Sequence, residues 1–274
     1  MKCFSTTYAD FIKFNRKPNE DFYLISKKYP IFVIADGVTQ AHFPTGEYAF
    51  PKGAQTVAKI FCYTVSEFLE NNFEKRKVKI LIKKAFNLAN KKIEEINEIE
   101  EITEKMDYWI YDYFDTVGIV GIIRKNTLYY GYVGDCGLAI FDQKNNLKFQ
   151  TKDQIKHVLE KVKKIYKNWS CLNKKKRIII LHRDFRNNRS RRGYGSFSGE
   201  DGVKNYYLIN SITLTPGDLV VFYSDGFLNY FQFPEFIEIL RQRNKKALDS
   251  FTFKKAKEDY QEFGTDRTLI SSIF

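Results

Sequence analysis

Cysteine is scarce in this chain of 274 residues: four in all, at positions 3, 62, 136 and 171, with no Cys-x-x-Cys pair. That spacing excludes a disulfide framework and a zinc ribbon, and it predicts reduced, mostly buried thiols in a cytoplasmic protein. Histidine is scarcer still, at three widely separated positions. A His-rich zinc centre is therefore excluded, and any metal must be held by carboxylates. Long apolar runs are missing, since none approaches the roughly 18 residues needed to cross a bilayer. The first ten residues, Met1 to Asp10, lack the apolar stretch of a secretory signal, so export by that route is not expected. There is no Gly/Ser-rich or Pro-rich linker and no internal repeat. What is present, 43% hydrophobic and 28% charged residues, excludes wholesale disorder and low-complexity classes. The length permits one large domain or two modest ones, each able to bury a core.

The formal net charge of +12 is not spread along the chain. Between Lys161 and Arg192 stand thirteen Lys/Arg and a single acidic residue, Asp184, so this stretch carries the whole excess. The other 242 residues balance to neutrality. The basicity belongs to one insert rather than to the scaffold.

Apolar runs of strand length occupy 22–25 and 31–35, bounded by Pro18-Asn19, Lys28-Tyr29-Pro30 and Asp36-Gly37. Two helices follow. Ala54, Val57, Phe61, Val65 and Phe68 recur at helical spacing, as do Ile82, Phe86, Ala89, Ile93, Ile96 and Ile99. Each helix has one apolar stripe and one wet face, so each is expected to lie on a sheet. Strand patterns return at 116–123 and 128–133, a hairpin, and at 137–141 and 147–149, a second one. Further strands are expected at 206–214, 219–223 and 268–273, with helices at 234–243 and near 253–263. Within the insert, Ile178-Ile179-Ile180-Leu181 either packs or pairs as a strand, and the stretch from Arg189 to Ser196 reads as mobile and phosphate-seeking. This order suggests a single α+β layered domain.

Four apolar strands end or begin at an aspartate in a tight turn: Asp36 in Ala35-Asp36-Gly37, Asp135 in Gly134-Asp135, Asp225 in Ser224-Asp225-Gly226, and Asp266 in Thr265-Asp266-Arg267. A further acidic group, Asn19-Glu20-Asp21, precedes the strand at 22. Asp-Gly is a common turn signal, and one such turn alone means little. Carboxylates gathered at one edge of a sheet, however, repel one another unless cations separate them. Hard divalent ions with oxygen ligands, Mg²⁺ or Mn²⁺, are the expected solution.

The order Arg16-Lys17-Pro18-Asn19-Glu20-Asp21, Ala35-Asp36-Gly37, Val133-Gly134-Asp135-Cys136, Ser224-Asp225-Gly226 and Asp266-Arg267-Thr268 resembles the metal-dependent (type 2C) protein serine/threonine phosphatase family. The resemblance runs from about residue 16 to 270. It implies a four-layer αββα sandwich, a central antiparallel β-sandwich flanked by helix pairs, over 1–274 as a single phosphatase domain. It also implies hydrolysis of phosphoserine and phosphothreonine by a water or hydroxide between two Mn²⁺ or Mg²⁺ ions. On this resemblance Asp36 bridges the ions with the Gly37 carbonyl on one of them. Asp225 and Asp266 ligate the other, Asp21 holds metal-bound water, and Asp135 serves a third ion. Arg16 grips the substrate phosphate. No covalent enzyme intermediate is needed, so Cys136 is read as a small packed residue.

Three departures accompany the resemblance. Val38-Thr39-Gln40-Ala41-His42 replaces the usual Gly-Gly run, and His42, the candidate general acid, is displaced. Asn229 stands where the family often has an aspartate, so a third ion is poorly provided for. Residues 43–51 lengthen the stretch beyond, which alters the mouth of the site. The interval 151–204 corresponds to the family's variable flap, and Arg189, Arg191 and Arg192 on it are candidates for steering a phosphorylated protein substrate. The alternatives are a pseudophosphatase or an anionic-partner binding module on the same fold. Nucleic acid is not expected, because the insert carries little aromatic interleaving and no recognised module. No membrane association is expected, and no pattern marks an obligate oligomer.

Overall fold

In the computed structural model, residues 2–14, 17–38, 48, 52–190 and 192–274 are described. Arg16, His42 and Arg191, all candidates above, lie outside these residues. In chain order the elements are β1 (Cys3–Tyr8), β2 (Asp21–Ile25), β3 (Ile31–Gly37), α1 (Gly53–Asn71), α2 (Val78–Ile99), α3 (Ile102–Lys105), β4 (Thr116–Arg124), β5 (Thr127–Val133), β6 (Gly137–Phe141), β7 (Leu147–Gln150), α4 (Gln154–Ile165), α5 (Lys174–Ile180), β8 (Leu208–Thr213), β9 (Leu219–Tyr223), α6 (Pro234–Gln242), α7 (Lys245–Glu258), α8 (Tyr260–Phe263) and β10 (Arg267–Ile273).

The strands form two antiparallel five-stranded sheets, ordered β1-β10-β9-β6-β7 and β2-β3-β4-β5-β8. Strands β3, β4 and β9 are apolar nearly throughout rather than alternating, because both faces of each sheet are covered. Between the sheets lie Phe32, Ile34, Ile119, Leu138, Val220, Phe222 and Ile270, with the Phe32 and Phe222 rings stacked at 5.4 Å. The opposite face of β3 and β4 packs Val33, Ala35 and Val120 against Val57, Phe61, Val65, Ile82, Phe86 and Ile93 of α1 and α2. On the other sheet Leu219, Val221 and Leu269 meet Phe236, Leu240, Leu248 and Phe251 of α6 and α7. The result is the four-layer αββα sandwich, with each amphipathic stripe seated as the periodicity requires.

One expectation needs correction, and one left open between two outcomes is resolved. The helix placed near 253–263 begins earlier, because Asn244 caps α7 by accepting a bond from the Ala247 amide at 3.0 Å. It ends at Glu258, and α8 follows as a separate turn capped by Asp259. Of the two expectations for 178–181, packing holds and strand pairing does not: Ile180 and Leu181 pack against the core of the insert. The segment closes α5 and enters a π-helical turn, Leu181–Phe185.

The insert as a whole is a small helical body with its own core of Val158, Val162, Trp169, Phe185 and Tyr194. Asp153 caps α4 through the Ile155 and Lys156 amides at 2.7 and 2.9 Å. The expected mobility of 189–196 does not extend to Tyr194, Gly195 and Ser196, which are buried. Arg186 joins this body to the sandwich. Its guanidinium is buried and reaches Asp112 at 2.8 Å, Asp115 at 3.5 Å and Glu200 at 3.3 Å. Arg186 is therefore a structural cation rather than one offered to solvent. The thiols of Cys62 and Cys136 are buried, Cys3 is half-buried and Cys171 exposed, all of them free. Among the described residues no helix is long and apolar enough to cross a membrane.

Candidate metal centre

Strand polarity gathers the aspartates. In β2 and β3, Asp21 lies directly across from Asp36, two like charges that would repel as ordinary cross-strand neighbours. Asp36 also faces Val117 of β4, and Thr116 Oγ1 donates to the Asp36 carbonyl at 2.7 Å. Asp135 stands in the turn between β5 and β6, where Gly134 takes φ 86°. Asp225 and Asp266 sit at the end of β9 and the start of β10, strands paired in the other sheet. Two glycines allow the close approach. A Cβ on Gly37 would lie 2.6 Å from the Ala54 carbonyl oxygen, and one on Gly226 would lie 2.2 Å from that of Asp266.

The electrostatics show that the five carboxyls share one region. Burial raises the pKa of Asp36 well above the ordinary value, and Asp21, Asp225, Asp135 and Asp266 each raise it further. Asp21 is pushed up to about 7, first by burial and then by Asp266, against the pull of the Ser224 hydroxyl. Burial followed by Asp225 raises Asp135 well above the usual range. Asp225 is more open, exposed on its solvent side. The protein packed beneath it still raises its pKa, while a hydrogen bond with Asp36 opposes the rise.

Their hydrogen bonds differ in a telling way. Asp266 is fully engaged: Oδ1 accepts from the Asp10 amide at 2.6 Å, and Oδ2 from the Glu20 amide at 3.2 Å and Lys17 Nζ at 2.9 Å. Asp21 is half engaged, with Oδ2 accepting from Ser224 Oγ at 2.7 Å. Its Oδ1 is buried and has no hydrogen-bond partner among the described residues. An orphaned anionic oxygen inside a protein costs several kcal/mol at the order-of-magnitude level unless a cation meets it. An all-oxygen donor set of this kind suits Mg²⁺ or Mn²⁺. Among the described residues no three candidate ligands crowd one point as a ready-made shell.

The other candidates fall differently. Arg189 and Arg192 are exposed, and Arg189 lines a hollow with Glu94, Glu98, Glu104, Glu200 and Asp201 that shares no residue with the five aspartates. Asn229 is exposed and donates to Glu262. Sequence reading missed several residues that shape the site. Glu20 is buried and takes bonds from Lys17 and Tyr48. Both Lys17 and Glu20 stood inside the quoted motif, whereas nothing in the sequence marks Tyr48. Ser224, also within a quoted motif, holds Asp21 and accepts from the Thr268 amide at 2.9 Å. Beside Asp135 a hollow of about 360 Å³ is walled by Lys152, Asp153, Lys156 and His157 from the start of the insert.

The family described as Protein phosphatase 2C matches residues 14–256. Among solved structures, the Mycobacterium tuberculosis serine/threonine phosphatase PstP/Ppp superposes with a TM-score of 0.65 at 13% identity, covering 100% of this chain and 98% of that one. The S. agalactiae serine/threonine phosphatase gives 0.65 at 15%, covering 98% of each chain. The PstP catalytic domain solved in complex with 2 manganese ions gives 0.60 at 13%, covering 98% of this chain and 96% of that one. At such identities the structural likeness speaks to the fold alone. No curated protein matches the chain in sequence.

Proposed function

The chain belongs to the protein phosphatase 2C family and is a metal-dependent serine/threonine phosphatase, and we propose that its five clustered aspartates are the metal ligands. One observation carries the proposal: Asp21 and Asp36 are cross-strand partners, and a buried oxygen of Asp21 has no hydrogen-bond partner among the described residues. Asp36, the Gly37 carbonyl, Asp21, Asp225 and Asp266 would hold two Mn²⁺ or Mg²⁺ ions, with Asp135 toward a third. When bound, such ions supply an acidified water as nucleophile and offset the negative charge of the phosphoryl group.

The chain's own residues do the positioning. Ser224 fixes the Asp21 carboxylate, Thr116 fixes the backbone of Asp36, and the Asp10 and Glu20 amides fix Asp266. Arg16 is assigned to the substrate phosphate, where a guanidinium offers a bidentate fork, and His42 to protonation of the leaving group. We assign 1–274 to one phosphatase domain with 151–204 as its flap. The hollow beside Asp135 would take the polypeptide flanking a phosphoserine or phosphothreonine, with Lys152 and Lys156 facing its acidic neighbours. Arg189, Arg191 and Arg192 would steer the phosphoprotein electrostatically.

The alternative, a binding module without turnover, has one observation in its favour. Lys17 already supplies a counter-cation to Asp266. Release of phosphate from a phosphothreonine peptide, with Mn²⁺ and then with excess chelator, separates the two readings. Turnover abolished by chelation and restored by Mn²⁺ is expected. Stoichiometric peptide binding with no phosphate released would establish the binding module instead.

A further inference from the structure

The strands that bring carboxylates to one end of the sandwich deliver a different surface at the other. Following β2 from Asp21 leads to Ile25, β3 from Asp36 back to Phe32, and β10 from Asp266 to Ile273. Four residues of extended chain, Phe32 to Asp36, put about 13 Å between the two ends. At the far end these strands, with Cys3 of β1 and Ile123 of β4, surround a cleft of about 540 Å³. That volume lies within the range of small-molecule sites.

The floor and walls are apolar, with Phe32 buried beneath Ile25, Ile123, Ile273 and Phe274. The rim is cationic. Lys27, Lys28 and Lys125 line the cleft and are exposed. Among the described residues no Asp or Glu side chain lines it, and none of these three lysines has an ion-pair partner. Elsewhere on this protein several lysines do find carboxylates, as Lys92, Lys148 and Lys245 show. The cleft is also held in shape. Ser26 Oγ accepts from the Lys28 and Tyr29 amides, both at 3.1 Å, which fixes the turn carrying the lysines. The Phe274 main chain is pinned to Gly217 and Asp218 at 2.8 and 2.9 Å.

An apolar slot rimmed by ammonium groups that no described side chain neutralises selects ligands that are oily at one end and anionic at the other. We infer that this cleft binds a small amphipathic anion, an aliphatic or aromatic body bearing a carboxylate, sulfonate or phosphate. The body would lie over Phe32 and between Ile25 and Ile273, and the anion would sit at the mouth among the three lysines. The inference stands apart from the metal centre and uses none of its residues.

The test titrates the full chain with the fluorescent probe 8-anilinonaphthalene-1-sulfonate and displaces it with decanoate, decyl phosphate or uncharged decanol. Saturable binding at one site per chain is expected, displaced by decanoate or decyl phosphate and far less by decanol. The stronger of the two anions identifies the head group. The triple variant Lys27→Glu, Lys28→Glu, Lys125→Glu should weaken probe binding roughly tenfold or more. Its Mn²⁺-dependent hydrolysis of p-nitrophenyl phosphate should be unchanged, which reports that the variant is folded. Equal displacement by decanol, or probe binding unaltered by charge reversal, would each overturn the inference.

Discussion

Ser224 Oγ donates to Asp21 Oδ2 at 2.7 Å across 203 residues of chain, and the pair is buried. The same oxygen accepts from the Thr268 amide, so one hydroxyl ties a carboxylate of one sheet to a backbone of the other. Replacing it with alanine removes both bonds from buried groups. Ser224→Ala is expected to cost about 1–3 kcal/mol of stability. It should also raise the Mn²⁺ concentration for half-maximal turnover several-fold, because Asp21 loses its fixed orientation. Urea denaturation and a Mn²⁺ activation curve check the two effects.

The layers of this fold were legible because their signals are periodic. Ala54 to Phe68 and Ile82 to Ile99 show helical stripes, and the strands carrying Asp36, Asp135, Asp225 and Asp266 are apolar runs stopped by turn residues. That Asp21 faces Asp36 was not legible, because register depends on which residues pair across the sheet. Nor was Tyr48, which reaches Glu20 from a distant stretch. The insert misled for a physical reason. Its lysines and arginines mask short helical segments, and its core forms only when Val158 and Val162 of α4 meet Trp169, Phe185 and Tyr194 from later segments. Arg186 is one of thirteen Lys/Arg between Lys161 and Arg192, and only tertiary contact reveals its buried partners.

Stability should carry a pH signature from that ionic joint. Asp112 is buried, which alone would raise its pKa, but Arg186 and His182 hold it well below the usual carboxylate range. Burial lifts Asp115 to about 6, against the opposing pull of Arg186 and His182. Since an unfolded aspartate titrates near about 4, the folded state binds the Asp115 proton more tightly. Its contribution is therefore complete below the unfolded value and is lost as pH rises through the folded one. Subtracting the Asp115→Asn stability profile from that of the unaltered protein should give a difference that falls between about pH 4 and pH 6. A flat difference across that window, read by urea denaturation, would contradict the assignment.

Steering by the insert predicts a salt effect. Arg189→Glu with Arg192→Glu should slow phosphopeptide turnover at low ionic strength and flatten its dependence on salt. Hydrolysis of p-nitrophenyl phosphate, too small to span the flap, should hold steady. Because Arg189 already lies among Glu94, Glu98 and Glu200, the single change there is expected to matter less than the one at Arg192. Steady-state kinetics at several salt concentrations measure the difference.

The central claim is that Asp36 and its four aspartate neighbours form one shared site for divalent cations. Counting bound Mn²⁺ by electron paramagnetic resonance of the free ion, in the unaltered protein and in Asp36→Asn, tests it most directly. Saturable uptake of two ions per chain is predicted for the first, with weakening of at least roughly a hundredfold in the second. Identical binding curves for the two proteins, or no saturable uptake by either, would contradict the account.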